Sequence, residues 1–217
     1  MTGMAKSSDK PIKAIIWDFG GVFDPRHEAL AGFTQAAARL GIAPETLYDQ
    51  LYGGAAWKQA RVGALTHQAY LEAVMAEIDP QARDVATFHE QLWAGHQLDE
   101  GVVAVAQRLA LQYPMALLSN ATDELEATLE RHQLTQLFQV VINSARVGVA
   151  KPEPQIYRLA LEGLRVAPEE ALFIDDKLRN TVAAEQLGIV CILFKDVRQL
   201  EGALSEWGLL GSSRDES

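Results

Sequence analysis

Four short apolar runs stand out along the chain: Ala14 to Trp17, Met115 to Leu118, Ala171 to Ile174 and Ile189 to Phe194. Val140 to Ile142 forms a shorter fifth. Each has strand length. Between them the apolar spacing turns helical, over Gly101 to Gln112, Thr122 to Gln133, Pro154 to Leu164, Asn180 to Leu187 and Val197 to Trp207. Strands alternating with helices predict an α/β fold built on a doubly wound parallel sheet.

From Ala29 to Gln97 the alternation stops. Helical patterns run over Ala29 to Leu40, Glu45 to Leu51, Gln68 to Ile78 and Arg83 to Gly95, with no convincing strand among them. Gly41, Pro44, Gly53, Gly54 and Pro80 fall where helix ends and turns need them. The reading divides the chain into an α/β core, residues 11–24 and 98–210, a helical insert over residues 25–97, and flexible tails at residues 1–10 and 211–217.

Charge narrows the candidate functions. The formal net charge is −10, which disfavours nucleic acid and anionic membrane surfaces, because both need clustered Lys and Arg. The apolar run after the polar start of the chain stops at Asp18, short of a signal peptide, and no stretch reaches the length of a membrane span. A single cysteine, Cys191, allows no intrachain disulfide and no cysteine-rich zinc site. These features lead us to expect a cytoplasmic protein, monomer or homodimer.

Open parallel sheets bind ligands beyond the carboxyl ends of their strands, so the residues following each apolar run carry the information. Asp18 and Phe19-Gly20-Gly21-Val22 follow the first, Ser119-Asn120 the second, and Asp175-Asp176 the run from Ala171; Lys151 lies in a Lys-Pro-Glu-Pro turn before a helix. Singly, each has an ordinary explanation as a turn residue or a surface charge. The adjacent acids are the exception, because they repel unless a cation or hydrogen-bond donors hold them. Together the set makes chemical sense. Asp18 can attack a phosphoryl group, Ser119 and Asn120 can hydrogen-bond its oxygens, Lys151 can neutralise charge, and Asp175 and Asp176 can hold Mg²⁺.

These residues sit in four ordered motifs: IIWDFGGVF with Asp18, LLSNAT with Ser119, AKPEPQIY with Lys151, and FIDDKLRN with Asp175, Asp176 and Asn180. In that order and over residues 12–194 the chain resembles the haloacid dehalogenase superfamily of hydrolases. Within it the nearest likeness is to the α-glucose-1-phosphate phosphatase group. The resemblance implies a Mg²⁺-dependent phosphatase acting on a small phosphorylated substrate such as a sugar phosphate. Asp18 would be the nucleophile, Lys151 the neutralising cation, Asp18, Gly20, Asp175 and Asp176 the metal site, and Asn180 a support. The helical insert would then be a small cap that closes over the substrate.

One position departs from the family. Most of its phosphatases carry a second aspartate two residues after the nucleophile as general acid and base, and here that residue is Gly20. The glycine carbonyl can still bind metal, but a proton-transfer contribution of roughly 10²–10⁴ in rate is lost. Either the leaving group needs little protonation or a neighbour such as Asp24 or His27 replaces the acid. Charge also argues for the metal: three carboxylates against one ammonium leave a net negative site where a phosphate dianion must bind. In the insert, Lys58 and Arg61 beside Trp57 are candidate substrate contacts or simply a solvated basic face; Lys177 and Arg179 read as surface residues. Two other functions compete. One is a 2-haloacid dehalogenase, which the Asp175-Asp176 pair disfavours, and the other is a catalytically impaired binding domain, for which Gly20 is the only support.

Overall fold

The computed structural model describes residues 11–24, 31–78, 85–92 and 97–210. The expected tails, His27, Pro80 and the outer ends of two predicted helices lie outside these residues.

The first strand, β1 (Ala14–Trp17), is completely buried. Five helices follow: α1 (Ala31–Arg39), α2 (Pro44–Gly53), α3 (Ala55–Ala60), α4 (His67–Ile78) and α5 (Val85–Leu92). The chain then continues through α6 (Glu100–Ala110), β2 (Met115–Ser119), α7 (Leu125–Arg131), β3 (Val140–Asn143), α8 (Ser144–Val147), α9 (Pro154–Leu164), β4 (Ala171–Asp175), α10 (Leu178–Glu185), β5 (Val190–Leu193) and α11 (Val197–Glu206). All strand pairs are parallel, in the order β3-β2-β1-β4-β5.

Burial on both faces explains why the strands read as unbroken apolar runs instead of alternating ones. Side chains alternate across the sheet, so Ile15, Trp17, Met115, Leu117, Leu172 and Ile174 enter one core with Val102, Val105 and Leu109 of α6. Ala14, Ile16, Ala116, Leu118, Ala171 and Phe173 enter the other, against Ile156, Tyr157 and Leu161 of α9. The pairing of Ile15 with Met115 and Leu172 keeps these layers in step across the three central strands.

Helices α1–α5 bury a separate cluster that includes Phe33, Leu47, Leu51, Val74 and Phe88. Their amphipathic faces pack on one another, which is why the insert shows helical periodicity and, among the described residues, no strand. Among the described residues it touches the sheet portion at His67 and Gly63. His67, first residue of α4, donates its backbone N–H to Asp123 Oδ1 at 2.6 Å, and its ring Nδ1 lies 2.9 Å from Thr122 Oγ1. Gly63, with φ of 77°, packs so close to the Ala145 carbonyl of α8 that a Cβ there would overlap it.

The predicted strands are all present, and α9 has its predicted limits. Three strands end later than the apolar signal does: β2 on Ser119, β3 on Asn143 and β4 on Asp175. Backbone pairing continues past the last apolar side chain, so Ser119 and Asp175 are strand residues held by the ladder instead of loop residues. Two short helices, α3 and α8, were absent from the periodicity reading, because six and four residues are too few to show a helical repeat.

Candidate active site

The carboxyl ends of β1, β2 and β4 meet where the chain order reverses on either side of β1. Asp18 follows β1 directly, with its N–H donating to Ile174 O of β4 at 2.9 Å. Its side chain is buried, and Oδ1 accepts from Phe19 N–H at 2.7 Å and lies 2.8 Å from Lys151 Nζ. Neither contact uses Oδ2. Lys151 is fully buried and reaches Asp175 Oδ2 at 2.7 Å, so one ammonium bridges two carboxylates from different strands.

Asp175 is surrounded by donors. Its oxygens accept from Lys151 Nζ, from Lys177 N–H at 2.8 Å and from Asn180 Nδ2 at 3.0 and 2.9 Å. Burial alone would raise its pKa, but Lys151 and these hydrogen bonds outweigh burial and hold the carboxyl below the usual range. Burial acts on Asp18 with less compensation. Together with the charge of Asp175 it pushes Asp18 up to about 7, against the opposing pull of Lys151 and Lys177. For Lys151, burial works toward the neutral amine, yet Asp175 and Asp18 more than reverse it and keep the ammonium charged.

Asp176 completes a group of three carboxylates: Asp18, Asp175 and Asp176 offer oxygens all within 4.8 Å of one another. Hard oxygen donors in this number suit a hard divalent cation. Gly21, with φ of 84°, makes room for the third acid, since a Cβ there would come within 2.5 Å of Asp176 Oδ2. Gly20, the departure noted in the sequence, faces open space: a Cβ there meets nothing within 4 Å.

Beside this cluster, between the sheet and the helical insert, lies a cavity of about 320 Å³. Gly20, Ser119 and Asn120 line its floor. Asp24, buried and bridged to Gly20, lines it too. Trp57 contributes to the insert wall, whereas the candidate contacts Lys58 and Arg61 do not line the cavity. Arg61 is the C-cap of α3 and its N–H donates to Trp57 O at 3.0 Å, so the two stand one helical turn apart.

Asn120 does a further job at the cavity floor. Its side-chain oxygen accepts from Lys151 N–H at 2.8 Å and its amide donates to Lys151 O at 2.9 Å, so it clamps the lysine's backbone. Sequence gave no signal for this pairing, because 31 residues separate the partners. The cavity residues Tyr52, Tyr70 and His67 were likewise missed; helical periodicity marks their positions but says nothing about which face meets the sheet.

A family model described as a haloacid dehalogenase-like hydrolase matches residues 12–188. Among solved structures, a HAD family enzyme from Bacteroides thetaiotaomicron, in complex with magnesium and inorganic phosphate, superposes with a TM-score of 0.71 at 20% identity, covering 85% of this chain and 94% of that one. Bifunctional epoxide hydrolase 2 of Rattus norvegicus is 42% identical over 73 residues, 32% of this chain but only 13% of that protein's length. The phosphoserine phosphatase of Thermus thermophilus is 35% identical over 98 residues, 45% of this chain and 39% of that enzyme. The match thus spans a small part of the first relative and well under half of the second.

Proposed function

Because the chain belongs to the haloacid dehalogenase-like hydrolases, we propose that it is a Mg²⁺-dependent phosphatase of small phosphate monoesters that works through an aspartyl-phosphate on Asp18. The observation that carries this reading is the buried Lys151 bridging Asp18 and Asp175, with Asp176 converging on the same point. The phosphatase name of the Thermus relative and the magnesium and phosphate in the Bacteroides structure support it.

In this reading Asp18 Oδ2 attacks phosphorus while Lys151 fixes Oδ1, and the P–O bond to the alcohol breaks with its electron pair on the leaving oxygen. Water then attacks the same phosphorus, releasing inorganic phosphate and restoring the carboxylate. Ser119, buried at the cavity floor, donates a hydrogen bond to the phosphoryl oxygens. Asp18, Asp176 and the Gly20 carbonyl would hold the cation, with Asp175 behind them fixing Lys151 and Asn180. When bound, Mg²⁺ supplies the positive charge that three carboxylates and one lysine lack toward a phosphate dianion.

The test is phosphate release from an aryl phosphate with and without Mg²⁺, in the wild type and in Asp18→Asn. Hydrolysis that needs both the metal and the aspartate supports the mechanism. Equal rates in the variant would falsify it.

A further inference from the structure

We propose that the substrate's organic part is apolar and flat, an aryl or hydrocarbon phosphate monoester and not a polyol phosphate; this rests on the phosphatase reading above. The cavity carries the proposal. Above the floor of Gly20, Ser119 and Asn120, the insert presents a run of rings: Tyr52 to Trp57 at 5.3 Å, Trp57 to Tyr70 at 5.8 Å, Tyr70 to His67 at 6.2 Å, and His67 to His89 at 5.1 Å between centroids. Leu71, Leu92 and Leu125 fill the spaces beside these rings. Such a surface rewards burial of apolar and aromatic area.

Most polar groups of the wall are paired within the protein, His67 Nε2 being an exception. Tyr70 donates its hydroxyl to Leu51 O at 2.7 Å, and His67 Nδ1 pairs with Thr122 Oγ1. Arg131 reaches Glu124 Oε1 at 3.1 Å, and Thr128 Oγ1 donates to the Glu124 carbonyl. Tyr52, His89 and His132 each have a further interaction within the protein. Asn120 is occupied with the Lys151 backbone. A sugar entering this space would find His67 Nε2 open but most of its hydroxyls facing rings or groups already paired, and each unmet hydroxyl opposes binding. A hydrocarbon body has no such demand.

A second, independent observation agrees. Gly20 supplies no general acid, and the phenolic leaving group of an aryl ester needs less proton assistance than an alkoxide. Burial and the neighbouring His89 also hold His67 below the ordinary imidazole range, so its ring meets the cavity uncharged.

Two primary alkyl phosphates separate the body from the leaving group. We expect 3-phenylpropyl phosphate to exceed glycerol 1-phosphate in kcat/KM by roughly tenfold to a hundredfold with Mg²⁺ present, since both release a primary alkoxide and differ in the apolar body. Trp57→Ala should shrink that ratio mainly through KM for the phenylpropyl ester, with the melting temperature measured alongside; Leu125→Asn repeats the test from the opposite wall. Equal or reversed specificity in the wild type overturns the apolar-body proposal and leaves the phosphatase standing. Absence of Mg²⁺-dependent hydrolysis of both esters overturns the phosphatase reading, and the proposal with it.

Discussion

Asp18, Lys151 and Asp175 form a buried set in which two carboxylates share one ammonium, and the balance of charge decides how each behaves. Removing the shared cation leaves both acids buried without it, so Lys151→Met should abolish turnover and cost about 3–5 kcal/mol in urea unfolding. The two adjacent acids should separate by readout. Asp175→Ala strips the acceptor from Lys151, Lys177 and Asn180, and a clear fall in the melting temperature of the metal-free protein is expected. Asp176→Ala should instead raise the Mg²⁺ concentration needed for half-maximal activity, with a smaller change in melting. Gly20→Asp meets open space, so the variant should fold and should speed alkyl esters more than aryl ones, measured as the ratio of the two kcat values.

Elements matter here through how they end and where they touch. Asp99 caps α6, accepting from Gly101 and Val102 N–H, while its own N–H donates to Phe23 O of the loop after Asp18. Asp99→Ala should therefore cost about 1 kcal/mol by loss of the cap, read as a lower melting temperature, with kcat little changed. Gly63 is the tight point between insert and sheet portion. Alanine there needs both a left-handed backbone, about 1–2 kcal/mol, and a retreat from the Ala145 carbonyl, so Gly63→Ala should loosen the insert and raise KM more than it lowers kcat.

For the whole molecule, charge couples metal, proton and stability. Asp18 is raised from 3.8 to about 7 in the folded metal-free protein, so between these values the native state binds more protons than the unfolded one. Its contribution to stability is full below pH 4 and is lost as pH rises toward 7. A cation needs the ionised carboxylate, so Mg²⁺ binding should release a proton and tighten from pH 5 to 7, then level off. Titration calorimetry in buffers of different ionisation enthalpy reads this directly, and affinity independent of pH over that range would contradict it. Chelation should abolish hydrolysis and re-addition of Mg²⁺ should restore it.

Sequence by itself determined the parallel α/β core, because strands buried on both faces must be apolar throughout and helices covering them must be amphipathic. It also located Asp18, Ser119, Lys151, Asp175 and Asp176, since ends of parallel strands converge whatever the details of the loops. What it left open depends on contacts between distant segments. That Asn120 clamps the Lys151 backbone from the cavity floor, that Asp175 spends its oxygens on donors, and that Arg61 lies off the cavity lining all follow from how separate elements pack. The same holds for the organic part of the substrate. The motifs suggested a sugar phosphate; the ring-lined wall, most of its polar groups already paired, points our proposal to an apolar body. Periodicity tells which residues of a helix are buried, and only the tertiary structure decides whether they face a neighbouring helix or a ligand.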